Sequence, residues 1–159
     1  MNCIEVNNAT EAFEHWFKLL DSQNLKESSR DGGVKGEVLN AITVIKDPTR
    51  GIVQSDIRKM PMRYAVGELM WYLSGNRDLS AIQNYTKAWD RMSDDGKTVN
   101  SNYGWCIQHK YGFDQWEYVK DMLQTDPLSR QAVLHIKTAD NTPSKDVNCT
   151  VCLQFLIRD

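Results

Sequence analysis

The chain has 159 residues, enough to bury a hydrophobic core within one domain of common size. Apolar residues make up 41% and charged residues 25%, a composition typical of a folded globular protein and not of a disordered one. Because the formal net charge is only -2, we expect neither a nucleic acid nor a membrane surface as the main partner.

The first residues, MNCIEVNNATEAFEHW, have neither the basic region nor the apolar stretch of a secretory signal peptide. No other segment is apolar enough to span a bilayer. These features indicate a cytoplasmic protein. In that reducing compartment we expect four free thiols, which are Cys3, Cys106, Cys149 and Cys152.

Hydrophobic periodicity in the first third of the chain predicts a helix and a strand. Apolar residues at helical spacing follow Asn8 and Thr10, which can cap a helix, and the helix should run to about Gln23. The segment SSRDGG then predicts a loop. Residues 36–45 alternate and are rich in β-formers, so they predict a strand.

Two helices are predicted in the middle of the chain. The second helix should begin near Pro61 and stop at Gly75, and because it is apolar almost all round we expect it to be buried. Residues 79–92 predict a third helix. One face of the third helix would carry Ile82, Tyr85 and Trp89.

The last third of the chain begins with the turn signal SDDG and the aromatic segment NSNYGWC. Residues 113–123 predict a fourth helix, ended before Pro127. Residues 131–137 and 147–157 predict two strands. A polar loop would join these strands, and it carries Asn141, Pro143 and Ser144.

The spacing of Cys149 and Cys152 invites comparison with a CxxC metal or redox motif. Within a strand, however, residues three apart face opposite sides, so the two thiols would diverge. No second cysteine or histidine pair completes a zinc site, and we expect no metal. On composition alone, both cysteines would be small buried residues.

Two other features have chemical potential. Arg130 in DPLSR and Arg30 in SSRDGG lie in loops, where guanidinium groups suit a phosphate, although solvated arginines at helix ends are the commoner case. Glu68 lies on the apolar helix GELMWYLSG, next to residues such as Trp71. A carboxylate there is costly unless it is paired or used, so it either meets an arginine or transfers protons.

Five segments in this order, ELMWYLSG, AWD, NSNYGW, DPLSR and NCTVCLQF, resemble the thymidylate synthase superfamily, which includes the phage deoxypyrimidine hydroxymethylases. The resemblance covers roughly residue 30 to the end. It implies an α+β fold, with a mixed sheet packed with helices and a homodimer formed through the sheet face. Residues 1–159 would be the N-terminal part of a single thymidylate synthase-like domain, in the host cytoplasm if a phage encodes it.

The resemblance implies folate-dependent transfer of a one-carbon unit to C5 of a pyrimidine deoxynucleotide, with 5,10-methylenetetrahydrofolate as co-substrate. Cys149 matches the nucleophile that adds to C6 of the base, a thiolate role suited to cysteine. Glu68 and Tyr103 match the residues that handle water and protons. Arg30 and Arg130 match the phosphate-binding arginines, the latter reaching across the dimer interface.

Trp89 and Asp90 match a family pair near the folate and catalytic pocket. Two departures from thymidylate synthases matter. This chain reads Asn-Cys-Thr at 148–150, where they usually have Pro-Cys-His, and Ser-Arg-Gln at 129–131, where they have Ser-Arg-Arg. The Cys-Thr pair, the NSNYGW segment and the QFLIRD ending are more similar to the hydroxymethylase branch, which quenches the one-carbon unit with water. The resemblance favours dUMP over dCMP as substrate.

The sequence ends at Asp159, directly after its strongest strand pattern, and the family continues further. We therefore expect a chain truncated at its C-terminus, inactive on its own. Two alternatives stay open at this point: a non-catalytic thymidylate synthase-like dimerisation or regulatory module, and a small zinc or redox protein.

Overall fold

The computed structural model describes residues 2–23, 27–28, 33–139 and 144–158. The chain divides into two compact units, Met1–Pro61 and Met62–Asp159. That residues 1–159 form part of a single domain stays a prediction. In the described ranges no helix is long and apolar enough to cross a membrane.

The first unit is built around a strand, a helix and a second parallel strand. Strand β1 (Asn2–Val6) pairs in parallel with β4 (Ala41–Ile45), and helix α1 (Ala9–Gln23) lies between them in sequence. The short strands β2 (Glu27–Ser28) and β3 (Val34–Lys35) form a separate antiparallel pair. Strand β1 was not predicted from the sequence.

Helix α1 confirms the predicted helix and the capping role of Asn8, whereas Thr10 lies within the helix and does not cap it. The Asn8 side-chain oxygen accepts a hydrogen bond from the Glu11 backbone N–H at 3.0 Å. The Glu11 carboxylate in turn accepts from the Asn7 backbone N–H at 2.9 Å. The two contacts form a variant of the capping box, in which the glutamate accepts from the residue before the N-cap, and they fix where the helix begins. The indole of Trp16 donates to Thr43 on β4 at 2.9 Å and holds the helix on its strand pair.

The predicted strand at 36–45 is shorter than expected. Strand β4 begins only at Ala41, because Asn40 has a φ of 54° and forms a turn with Leu39. The left-handed conformation is open to asparagine but interrupts an extended chain. Most of the predicted SSRDGG loop, together with Arg30, lies outside the described residues.

The second unit contains the remaining helices and one antiparallel strand pair. Its helices are α2 (Met62–Leu73), α3 (Leu79–Gln83), a 3₁₀ helix (Ala88–Arg91), α4 (Tyr103–Gln108) and α5 (Gln115–Thr125). Strand β5 (Val133–His135) pairs with β6 (Cys152–Gln154) in antiparallel register, with Leu134 opposite Leu153. The chain is therefore α+β, as expected, and its described strands form three separate pairs, one parallel and two antiparallel.

Two hydrophobic clusters hold the second unit together. The cluster on the α2 side comprises Trp71, Leu79, Ile82 and Val99. The cluster on the α5 side comprises Val119, Ala132 and Leu134. Helix α4 lies between α2 and α5, which it contacts on either side, so it connects the two halves of the unit.

Helix α2 begins and stops as predicted, and Gly75 adopts the positive φ of 62° typical of a helix C-terminus. The prediction that it is buried all round is wrong. Only Gly67 and Trp71 are buried, while at least half of each side chain on its outer face is exposed. That exposed apolar face comprises Val66, Leu69, Met70 and Leu73.

The predicted third helix at 79–92 is broken into α3 and the 3₁₀ helix. The break falls at residues 84–87, where the Thr86 hydroxyl accepts a hydrogen bond from the Ala88 backbone N–H at 3.1 Å. Such side-chain contacts compete with the helical hydrogen bonds. Ile82 and Trp89 still pack in one cluster, as their spacing predicted.

Helix α4 was not predicted. Its start signal is Asn102, a fully buried side chain that accepts from the Trp105 backbone N–H at 2.8 Å. The predicted strand at 147–157 narrows to β6. Cys149 lies in a bend before β6, so the argument that two strand thiols must diverge does not apply to it.

Candidate active site

Glu68 lies on α2 between two tyrosines of the same helix face. The hydroxyls of Tyr64 and Tyr72 both donate to Glu68 Oε1, at 2.5 Å and 3.1 Å. The three residues are spaced by four, which places them on one helical stripe. Among the described residues Glu68 forms no ion pair. Of the two predicted alternatives, an arginine partner is therefore not seen there, and two phenols donate to the carboxylate.

The hydrogen-bond network extends from Glu68 to Trp89. The indole N–H of Trp89 donates to the Tyr64 hydroxyl at 3.1 Å, and that hydroxyl in turn donates to Glu68. A chain of two hydrogen bonds therefore links the 3₁₀ helix to the carboxylate. Trp89 also packs edge-on against Trp71, with ring centroids 5.5 Å apart. The structure thus brings together Glu68 and Trp89, two of the residues predicted from the sequence.

Tyr103 joins the same cluster from α4. Its ring lies 5.3 Å from that of Tyr72, centroid to centroid. Burial, followed by the Glu68 charge, raises the pKa of Tyr72 far above its ordinary value of 10.0. Burial and the hydrogen bond to Glu68 raise the pKa of Tyr64 to about 12. Both phenols therefore stay protonated near neutral pH and remain donors to the carboxylate.

Gly104 permits this arrangement because α2 and α4 touch at their backbones. A Cβ atom at position 104 would lie 1.6 Å from the Tyr72 carbonyl oxygen. Only glycine allows so close an approach. The Tyr-Gly pair in NSNYGW thus supplies the ring that faces Tyr72 and the contact that brings it there.

Cys149 lies elsewhere in the second unit and has an exposed thiol. Its Sγ atom is 4.0 Å from the Val147 carbonyl oxygen. Two of the preceding side chains are buried and contact the α4 region: the Asp146 carboxylate accepts from the Ser101 backbone N–H at 2.7 Å, and Asn148 contacts Cys106. The thiol is accessible at the end of an anchored segment, next to α4.

A cavity of about 470 Å³ opens beside this segment. Asp94 and Asp146 in its wall accept internal hydrogen bonds. Arg77 stacks over the Trp105 ring at 4.2 Å. Cys149, Glu68, Trp89 and Tyr103 are not in the lining, which comprises Arg77, Asp94, Asn100, Trp105, Lys110, Lys137, Thr138, Ser144, Asp146, Val147 and Asn148.

The remaining predicted site residues are peripheral in the described structure. Arg130 is exposed in the turn after α5, and its backbone carbonyl accepts from the Gln154 side chain at 2.9 Å. Asp90 is exposed and accepts from Gln83 at 3.0 Å. Arg30 lies outside the described residues. Among the described residues, no hydrogen bond or ion pair joins Arg130 to Cys149 or Glu68.

Metal ligation finds no support in the described part of the chain. Within it, no group of three or more His, Cys, Asp and Glu side chains is arranged to hold an ion.

Tyr64 and Tyr72 were not predicted from the sequence as partners of Glu68. Their spacing of four residues on either side of the glutamate was the available signal.

Residues 19–159 match the family model described as thymidylate synthase. The chain belongs to the thymidylate synthase family. The match covers all described residues that form the Glu68 cluster and the segment before Cys149. It also agrees with the α+β architecture.

The chain is similar to phage enzymes of this family. It is 28% identical over 137 residues to the deoxyuridylate hydroxymethyltransferase of Bacillus phage SP01. The aligned segment covers 77% of this chain and 36% of that protein. It is 31% identical over 104 residues to the deoxycytidylate 5-hydroxymethyltransferase of Enterobacteria phage T4, covering 60% of this chain and 42% of the relative. The chain thus spans well under half the length of these relatives.

Proposed function

We propose that this chain carries the nucleophile of an enzyme that transfers a one-carbon unit to C5 of a pyrimidine deoxynucleotide. We propose that the nucleotide substrate is dUMP, with dCMP as the second choice. Hydroxymethylation is favoured over methylation to dTMP. Membership of the thymidylate synthase family supports the reaction class. The names of the phage SP01 and T4 relatives support the hydroxymethyl product.

The single observation that carries the proposal is the Glu68 cluster. A carboxylate on a largely apolar helix costs free energy unless it is paired or takes part in chemistry. Here two phenols donate hydrogen bonds to one of its oxygens. The Tyr103 ring lies against one of those phenols. The cluster is an acid–base site whose geometry is fixed by protein donors.

In the proposed reaction the Cys149 thiolate adds to C6 of the base, and the electron pair of the C5–C6 bond moves towards C5 and the C4 carbonyl. C5 thereby becomes nucleophilic. C5 forms a bond to the methylene carbon of the co-substrate, and the bond between that carbon and the folate nitrogen breaks. Loss of the C5 proton, with Tyr103 in the acceptor path, leaves an exocyclic methylene group. Addition of water to this group expels the Cys149 thiolate from C6 and restores the ring. Glu68 holds and orients the water that gives the hydroxymethyl group its oxygen.

5,10-Methylenetetrahydrofolate is the proposed co-substrate, and when bound it supplies carbon at the oxidation level of formaldehyde. A pteridine ring requires an aromatic face and hydrogen-bonding groups. Trp89 is only partly buried and Asp90 is exposed, so the residues present fit such a ring. We propose that this pair contacts the folate.

Arg30 and Arg130 are the proposed phosphate ligands, with Arg130 acting across a homodimer interface. The exposure of Arg130 supports this role, since its guanidinium is available to a partner. The exposed apolar face of α2 supports an assembly larger than the described chain, because patches of this kind are typical of contact surfaces.

The test is a tritium-release assay with nucleotides labelled at C5. Protein expressed from the longest reading frame of the gene is incubated with methylenetetrahydrofolate and labelled dUMP or dCMP, and products are resolved by mass. Release with a hydroxymethyl product supports the proposal. Release with a methyl product would instead indicate thymidylate synthesis. If the folded protein releases no tritium from either nucleotide, the proposal that it is an enzyme is contradicted, and the non-catalytic module is the remaining interpretation.

A further inference from the structure

The residue directly before the proposed nucleophile is held inside the protein. Asn148 is 7% exposed, whereas Cys149 is exposed. The Asn148 side-chain amide donates to the Cys106 sulfur atom, with Nδ2 and Sγ 3.6 Å apart. Buried amides rarely remain without a partner, so this contact decides where Asn148 can lie.

Cys106 is suited to the role of a fixed partner. It lies on α4, is fully buried, and its own thiol donates to the Asn100 carbonyl oxygen at 3.5 Å. Burial raises the pKa of the Cys106 thiol, so it stays protonated and does not compete with Cys149 as a nucleophile. The sulfur thus accepts from Asn148 and donates to Asn100 at the same time.

The chain is also held on the other side of Cys149. The carbonyl oxygen of Val151 accepts hydrogen bonds from the Ile136 and Lys137 backbone N–H groups, at 3.0 Å and 3.1 Å. Cys149 and Thr150 therefore form a short bend between two fixed points. The first fixed point is a side-chain contact and can be removed without breaking the strand pair.

We propose that Asn148 and Cys106 are positioning residues that fix the backbone before Cys149 and so aim its thiol at the base. This inference rests on the proposed function, in which Cys149 attacks C6. Neither residue touches the reacting atoms in this account. Thymidylate synthases usually have proline at the position of Asn148, so a rigid ring there is replaced by a rigid hydrogen bond.

The anchor itself is tested by hydrogen exchange, without any need for activity. Asn148→Ala and Cys106→Ala each remove one partner. The backbone N–H of Ser101, which donates to Asp146 two residues before Asn148, should then exchange about tenfold faster, as expected when a local restraint is lost. Cys106→Ser keeps a donor and an acceptor, and its exchange should stay near that of the wild type. Unchanged exchange in both alanine variants would overturn the anchor.

The positioning role is tested by kinetics. In Asn148→Ala we expect kcat to fall at least about tenfold, because small misplacements of reacting groups are costly, while KM for the nucleotide changes little. Cys106→Ser should retain most of the turnover. Wild-type turnover in Asn148→Ala, or an effect confined to KM, would overturn the role.

The four thiols of the chain provide the control for general loss of structure. In Asn148→Ala, alkylation mapped by mass spectrometry should leave Cys106 protected and Cys152 reacting at its wild-type rate. Labelling of Cys106 would show that the pair holds the core, and would overturn the proposal. If the wild-type protein transfers no carbon, the proposed function fails, and hydrogen exchange still decides the anchor.

Discussion

Replacing Gly104 by alanine tests the contact that brings Tyr103 to the Glu68 cluster. The added Cβ atom would lie 1.6 Å from the Tyr72 carbonyl oxygen and 2.5 Å from its carbonyl carbon. The first distance has to grow to at least 3.0 Å, the limit that real Cβ atoms respect. Both neighbouring atoms belong to the backbone of α2, so no side chain can rotate away.

The cost follows from this geometry. Overpacked cores lose about 1 to 3 kcal/mol, and we expect a loss of about 3 kcal/mol because two helices must separate. Alanine's higher helix propensity returns at most about 1 kcal/mol. Urea denaturation followed by circular dichroism measures the free energy of unfolding, and tryptophan fluorescence reports the average environment of the five tryptophans, which include Trp71 and Trp89.

A matched glycine provides the control. A Cβ atom at Gly51 would lie 3.5 Å from the nearest atom, the Pro48 carbonyl oxygen, which is an ordinary contact. Gly51→Ala should therefore be neutral or stabilise by up to about 1 kcal/mol through the unfolded state. If Gly104→Ala costs no more than Gly51→Ala, the close crossing of α2 and α4 is refuted.

Tyr64→Phe removes one of two donors to Glu68, and chemical denaturation should show a loss of about 2 kcal/mol. Because the folded pKa of Tyr64 is raised to about 12, its contribution is present below pH 10 and is lost as the pH rises towards 12, a loss that Tyr64→Phe should lack. Gln115→Ala leaves three backbone groups of Cys106 and His135, one buried and two partly buried, without their side-chain partner. It should cost about 3 kcal/mol, and an unchanged urea midpoint would contradict this. Backbone N–H donors of residues 97 and 98 hold the pKa of Asp95 far below its ordinary value of 3.8, so its contribution is lost as the pH falls below that value. The melting temperature of Asp95→Asn should therefore fall less with decreasing pH below 3.8 than that of the wild type. An equal fall in both proteins would contradict the role of these hydrogen bonds.

Local signals predicted the elements with clear caps. Asn8 and Glu11 mark the start of α1, and Gly75 marks the end of α2, because these residues act through neighbours a few positions away. The break at Thr86 was not predicted, since the spacing of Ile82 and Trp89 fits one continuous helix as well as two short ones. The side-chain hydrogen bond that decides between them competes locally with helix propagation.

The candidate site was only partly predictable for a related reason. The position of Glu68 on an apolar helix indicated a carboxylate that needs partners, and the spacing of Tyr64 and Tyr72 could have named them. The contact of Asn148 with Cys106 joins residues 42 positions apart, and no local pattern encodes it. The exposure of α2 depends on what covers that helix, which composition alone does not specify.

The central claim is that Cys149 is the nucleophile of C5 chemistry. The direct test uses the protein expressed from the longest reading frame of the gene. It compares tritium release from C5-labelled dUMP by the wild type, Cys149→Ser and the matched control Cys152→Ser. We expect Cys149→Ser to lose release while still binding the nucleotide, and Cys152→Ser to keep both. Equal release by Cys149→Ser and the wild type would contradict the account.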